Sequence, residues 1–281
     1  MTKKSNKIAA FDFTRRHPMS AAAAGITASA LATTSAIAQS GTTGTALVTG
    51  SNRGIGLRIA RNYAENGWTV IATVRRPDAA DDLRAIQADH PNLSIEQLDV
   101  TDDDQIAALA EKLNGQPIDV LLNNAAILGE PNEQNFGQYN FDTFHQIMDV
   151  NVAGPMKVAQ AFIDNVEQSE QKKIVAITSG QGSITTSRGG SIVFYNMSKS
   201  ALNMAMHSLA MDLKPRGIIV ALISPGAVDT DMIALALERA GVSIPLLTPE
   251  QSASMVIDMI DKHDLDMAGK FMAHDGKEYP W

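Results

Sequence analysis

Apolar residues along this chain fall into two recurring patterns. Short runs such as Ala46-Leu47-Val48 and Val120-Leu121-Leu122 alternate with longer stretches in which apolar positions return every three or four residues. The first pattern suits a buried strand and the second a helix with one face inward. Strands are expected at 46–48, 70–74, 93–98, 120–122, 174–178 and 218–224, with a candidate seventh at 270–273. Helices are expected at 55–64, from Pro77 to about Ala88, after the capping signal Thr101-Asp102, at 141–166 as one long helix, and at 193–213, 231–239 and 249–260. A polar loop at 129–138 and a Gly/Ser/Thr-rich loop at 179–191 interrupt the rhythm. Strands alternating with helices build βαβ units, so the fold class is α/β: a doubly wound parallel sheet of about seven strands. With no internal repeat, residues 42–281 read as a single domain.

In an open parallel sheet a ligand lies beyond the C-terminal ends of the strands. The first such end, Thr45 through Gly56, is strand, tight turn and helix, a geometry that offers backbone N–H groups and a helix N-terminus to a phosphate. Gly50, Asn52, Arg53, Gly54, Ile55 and Gly56 are the candidate contacts, although the glycines, spaced four and two apart, depart from the G-x-G-x-x-G fingerprint. The slot after the second strand that would hold an acid for a ribose 2′-hydroxyl is Val74, followed by Arg75. Two guanidinium groups, Arg53 and Arg75, suit a 2′-phosphate, which favours NADPH over NADH. Asp99 could accept from an adenine amino group with Val100 against the ring, or simply cap its own loop. Asn123, Asn124 and Ala125 would line the cofactor from the fourth strand.

Tyr195 and Lys199 stand four apart and share one helical face. A neighbouring ammonium favours the phenolate and draws a tyrosine from its usual value near 10 toward acid/base use. Ser179, ending the fifth strand, could donate to a substrate carbonyl oxygen, and Asn151 could hold a water linking Lys199 to solvent. A Tyr-x-x-x-Lys pair alone is usually coincidence; here it opens a helix after a polar loop, in a chain with a phosphate-binding turn.

At this point the sequence resembles the short-chain dehydrogenase/reductase family over roughly residues 44–281. Thr49-Gly50-Ser51-Asn52-Arg53-Gly54-Ile55-Gly56 is similar to its cofactor turn. Asn123-Asn124-Ala125-Ala126 is similar to its Asn-Asn-Ala-Gly motif, and Asn151-Val152-Ala153-Gly154 to its Asn-Val-x-Gly motif. Ser179, Tyr195 and Lys199 fall on catalytic positions. Pro225-Gly226-Ala227-Val228-Asp229-Thr230 resembles the segment that contacts the nicotinamide carboxamide, and the ending at 275–281 resembles the carbonyl-reductase and C-factor-like branch. The resemblance implies a Rossmann-type fold, an NADP(H) cofactor touched by Pro225, Gly226, Val228, Thr230, Tyr195 and Lys199, and a homodimer or homotetramer built on the two long helices. It also implies hydride transfer at a Ser-Tyr-Lys-Asn site, with Lys199 lowering the tyrosine pKa. Two positions depart from the pattern. Ala126 replaces a glycine, and Tyr195 lies sixteen residues after Ser179, so that Ser183 competes on spacing and Gly189-Gly190 must absorb the slack. Apolar residues in 129–138, 184–194 and 231–247, with Arg188 and Arg239 the only fixed positive charges, favour a neutral, fairly hydrophobic aldehyde or ketone. Alcohol oxidation by the same site, a non-catalytic NADP(H)-binding regulatory protein and an extended-branch epimerase or dehydratase are the alternatives.

Composition narrows the picture further. The net charge of −8 and pI near 5.2 argue against nucleic acid as a partner, and the absence of cysteine removes disulfides and thiol chemistry. Six scattered histidines show no metal-ligand spacing. Residues 1–41 are set apart: they are basic at the start, with Arg15-Arg16 ahead of an Ala/Ser/Thr-rich stretch that ends Ala36-Ile37-Ala38. This reads as a twin-arginine-like signal for periplasmic export, or else as a disordered tail on a cytoplasmic protein. The stretch has too little large apolar area for a stable membrane anchor.

Overall fold

Seven strands pair in parallel in the computed structural model, which describes residues 43–187, 192–241 and 243–281. The expected leader at 1–41, and Arg188 and Gly189-Gly190 in the substrate-side loop, lie outside the described residues, as does the Arg239 side chain. The strands are β1 (Thr45–Thr49), β2 (Thr69–Val74), β3 (Leu93–Gln97), β4 (Val120–Asn123), β5 (Lys173–Ile177), β6 (Ile219–Ser224) and β7 (Phe271–Ala273). Their order is β3-β2-β1-β4-β5-β6-β7, so the sheet grows outward in both directions from β1. The winding reverses between β1 and β4, the switch point at which sheets of this kind bind their ligands.

Alternation along each strand feeds two cores. Ala46 and Val48 face α1 (Gly54–Glu65), α2 (Asp81–Asp89) and α9 (Pro249–Lys262). Leu47 faces α3 (Asp103–Lys112), α5 (Gly154–Ala161), α6 (Ile163–Glu167) and α7 (Val193–Leu213). Asp102 caps α3 by accepting from the Asp104 and Gln105 N–H groups, as its sequence predicts.

Two helix expectations change. Residues 77–88 begin with a 3₁₀ turn, Pro77–Ala79, before α2 starts at Asp81. The single helix expected at 141–166 is three: α4 (Phe141–Met148), then α5 and α6, with a π-helical turn Asp149–Ala153 between the first two and Phe162 between the last two. Pro155 has no N–H to give Asn151's carbonyl, so the ordinary i to i−4 ladder cannot pass. The chain widens instead, and the Gly154 N–H bonds the Asp149 carbonyl, five residues back. The widening presents Asn151, fully buried, to the strand ends.

Candidate active site

The β1–α1 turn is built to lie against β4. Gly50 and Gly54 have φ of +70° and +56°, a region other residues enter at a cost. A Cβ on Gly56 would stand 2.4 Å from Asn124 Nδ2 and 2.5 Å from the Gly50 carbonyl oxygen, so only glycine fits. Asn124 Nδ2 donates to the Thr49 and Gly50 carbonyls at 2.9 and 3.1 Å, while the Asn124 and Ala125 N–H groups donate to the Thr49 hydroxyl. Among the described residues none caps the first turn of α1 through a side chain, and that turn holds no acid. Its N–H groups and positive dipole end are left for an anion. Asn52 and Arg53 are exposed on the turn, and Ile55 is half-buried.

The two arginines expected to converge have different neighbours. Arg53 pairs at 3.1 Å with Asp231, the first residue of α8 (Asp231–Ala240). Arg75 lines a cleft of about 360 Å³ together with Asp99, Thr101, Asp142, His145, Gln146, Asp149 and Val150. Asp99 accepts from the Thr101 N–H at 3.0 Å and from the Thr101 hydroxyl at 2.7 Å, which is the loop-capping role. Val100 is buried against Gly154, where a Cβ would come within 2.8 Å of it.

From the other half of the sheet, Pro225-Gly226 leaves β6 with Gly226 at φ +85°. Val228 is buried and bridges to Leu247. Thr230 caps α8 by accepting from the Ile233 N–H, and its methyl group would lie 3.5 Å from a Cβ on Gly54. The segment after β6 and the β1–α1 turn therefore lie side by side, as the Arg53–Asp231 pair also shows.

Tyr195, Lys199 and Asn151 are buried where α7 and the π turn meet the ends of β4 and β5. Ser179 caps the 3₁₀ turn Gly180–Gly182 by accepting from the Gln181 N–H at 3.2 Å, and its hydroxyl acts on the Tyr195 phenol, drawing its pKa down. Ser183 does not compete: its hydroxyl donates to the Trp281 main-chain oxygen and accepts from the Thr186 N–H. Lys199 Nζ donates to the Ile177 carbonyl at 3.0 Å and stands 5.8 Å from the Tyr195 ring centre. Asn151 exchanges hydrogen bonds with the Ile127 backbone and donates to Ser198 Oγ at 3.0 Å.

Burial dominates the electrostatics here. It pushes the Tyr195 phenol up to about 12, the Ser179 hydrogen bond opposing it, and brings Lys199 down to about 8. The expectation that Lys199 lowers the tyrosine is not met in this arrangement. Its ammonium is engaged with a carbonyl, and neither charge is well solvated.

The model of the short chain dehydrogenases matches residues 44–240. The chain belongs to this family. A short chain dehydrogenase of Penicillium aethiopicum is 34% identical over 252 residues, covering 84% of this chain and 99% of the relative. The C-signal protein of Myxococcus xanthus is 32% identical over 62% of this chain and 99% of its own length. Among solved structures, NADPH-bound carbonyl reductase from chicken fatty liver is similar at 29% identity and a TM-score of 0.75, covering 84% of this chain and 98% of that one. Carbonyl reductase Sniffer of Drosophila melanogaster follows at 27% identity and TM-score 0.75, covering 85% and 100%. The short-chain dehydrogenase motifs therefore sit on a carbonyl-reductase-like frame.

Sequence reasoning missed Gln134. Fully buried in the 3₁₀ turn Pro131–Gln134, it accepts from the Tyr195 N–H at 3.0 Å and donates to the Leu128 carbonyl at 2.8 Å. It satisfies an orphan donor in the first turn of α7 and locks the loop after β4 to the helix that carries the tyrosine. Nothing in the polar run 129–138 singles it out. The Thr49 hydroxyl, which receives two N–H groups of the Asn-Asn-Ala-Ala segment, was equally silent.

Proposed function

We propose that this protein is an NADPH-dependent carbonyl reductase acting on a neutral aldehyde or ketone. The observation that carries the reading is the burial of Tyr195 and Lys199, one helical turn apart on α7, beside Asn151 at the strand ends, with Ser179 just after β5 acting on the phenol. The residues at the strand ends fit a dinucleotide. The uncapped first turn of α1, with Gly50, Asn52, Gly54, Ile55 and Gly56, would hold its pyrophosphate. Arg53 and Arg75 would take a 2′-phosphate, with Asp99 and Val100 beside the adenine. Asn124, Ala125, Pro225, Gly226, Val228 and Thr230 would enclose the rest. When bound, the cofactor supplies hydride to the carbonyl carbon.

The chain's own residues handle the oxygen. Ser179 fixes the carbonyl oxygen, and Tyr195 Oη delivers a proton to it as charge develops there. A phenol held near 12 remains protonated across neutral pH, as an acid for reduction must be. Lys199, held near 8, replaces that proton through water near Asn151. We further propose that the protein forms a homo-oligomer, and that residues 1–41 direct export, which fractionation of the producing cells tests.

Tyr195→Phe tests the mechanism. NADPH affinity by isothermal titration should stay within about twofold, while turnover of a neutral aldehyde should fall by about 10²-fold or more, as expected for loss of a positioned acid. Undiminished turnover would overturn the reading.

A further inference from the structure

The short tail after β7, singled out in the sequence but given no part in the chemistry, returns along the sheet edge to the loop that carries Ser179. Met272 bridges Glu278 in antiparallel fashion, the Tyr279 N–H donates to the Phe271 carbonyl at 2.8 Å, and the Ala273 N–H donates to the Lys277 carbonyl at 2.7 Å. The Tyr279 ring stacks on Phe271, with centres 5.0 Å apart and planes 24° apart. The tyrosine's hydroxyl then lies over Gly180, where a Cβ would stand 3.1 Å from it. Gly180 directly follows Ser179.

Two residues on, the Trp281 ring packs against Phe271 at 5.8 Å and edge-on against His207 of α7 at 5.3 Å. This fixes the Trp281 main-chain oxygen at the loop. It accepts from the Thr185 N–H at 2.8 Å and from the Ser183 hydroxyl at 3.4 Å. The first part of the same loop is held by the body of the domain. The Gly180 N–H donates to Ser224 Oγ, and the Gly182 carbonyl accepts from Ser200 Oγ. The tail carries the constraint onward to Thr185.

We propose that Tyr279 and Trp281 are positioning residues for the carbonyl-binding side of the cleft, clamping the Ser179–Thr185 backbone so that Ser179 keeps its place just after β5. The clamp rests on the proposed reductase reading for its kinetic meaning and on geometry alone for its structural one. Tyr279 touches the segment through the space that Gly180 leaves open, so a side chain at 180 and the tyrosine cannot coexist unmoved. Displacing a reacting group by about 1 Å costs on the order of 10²-fold in rate, so a loosened loop should be felt at the carbonyl.

Three variants, Trp281→Ala, Tyr279→Leu and Tyr279→Phe, test the clamp in the full chain, with 4-nitrobenzaldehyde and NADPH as the probe pair. Trp281→Ala and Tyr279→Leu should raise KM for the aldehyde by about five- to twentyfold and lower kcat, while NADPH affinity stays within about twofold; Tyr279→Phe, which keeps the ring stack, should restore most of the loss. Amide exchange at Thr185 should quicken by about tenfold in Trp281→Ala, a readout independent of turnover. Should Trp281→Ala not fold, Trp281→Phe and the two tyrosine variants carry the same comparison. Wild-type exchange at Thr185 and wild-type KM in folded variants would overturn the clamp. If Tyr195→Phe keeps full turnover, or the probe is not reduced, the reductase reading falls instead, and the exchange experiment alone decides the clamp.

Discussion

Gly56 shows how little room the cofactor turn allows. The added methyl of Gly56→Ala would meet both the Asn124 amide and the Gly50 carbonyl at contact distances no real Cβ shows. One of those is backbone, so the turn itself must shift. Asn124 would lose its bonds to Thr49 and Gly50, and the first-turn N–H groups would move from the place proposed for the phosphate. Gly56→Ala should weaken NADPH binding by about tenfold or more, read by isothermal titration, because the donors that remain are misaligned rather than removed. Retention of wild-type affinity would mean that the phosphate sits elsewhere. The placement of Gly56, Asn124, Ser179, Tyr195 and Lys199 near the strand ends was legible from the short motifs around them. Gln134 and Thr49 were not, because a side chain that satisfies one distant backbone group leaves no periodicity and no spacing. The pKa of Tyr195 was not legible either. The i, i+4 spacing places an ammonium beside the phenol but says nothing of how completely both are buried, and burial sets the direction.

Among the elements, α7 matches its expected span, since its apolar pattern runs unbroken between a loop and Leu213. The stretch 141–166 does not match, because apolar spacing persists through its breaks and hides them. The Gly154-Pro155 pair was the available signal, and it marks where the ladder must change. The C-terminal end of α9 carries a feature of another kind. His263, 2% exposed, has its Nδ1 2.7 Å from the Met259 carbonyl. A carbonyl only accepts, so Nδ1 bears the proton and buried Nε2 finds no partner among the described residues. The buried Lys173 ammonium donates to the Ile260 and Asp261 carbonyls of the same helix end. Burial first, with Lys173 adding, lowers the His263 pKa, while the Met259 hydrogen bond and Asp264 oppose it. The folded state therefore resists a proton that the unfolded chain accepts near pH 6.5. Stability should be full above that value and fall as pH drops through it toward the lower folded value, then level off. Asp261, raised chiefly by burial, acts in the opposite sense, adding stability as pH falls. Urea unfolding at pH 7.5 and 5.5 should show a drop in wild type that shrinks in His263→Gln. An equal drop in both would assign the acid sensitivity to other groups.

At the scale of the whole molecule, the distribution of exposed apolar side chains bears on assembly. Met197, Met204 and Met211 follow one another at seven-residue steps along α7 and are 48%, 67% and 47% exposed. Seven residues are two helical turns, so the three lie in one row with only a small drift. Met156 on α5 and Phe141 on α4 are also exposed, at 49% and 61%. Solvated helix faces normally carry charge, and a methionine row suits an adaptable contact. The family resemblance led to the expectation of subunit contacts on the same helices. The outward row on α7 is separate from the inward one: Leu202, Met206 and Ala210 pack on the sheet, while Tyr195 and Lys199 are buried at the strand ends. A second copy seated on the row would hold the helix that carries Tyr195 and Lys199 without entering the strand-end site. Met204→Asp places a charge at the centre of that row, where neither the core nor the site would register it. Light scattering after size exclusion should show the wild type as a dimer or tetramer and the variant shifted to smaller species, with turnover reduced less than the assembly. A variant with the wild-type mass would remove this face from the interface and leave the methionines as plain surface.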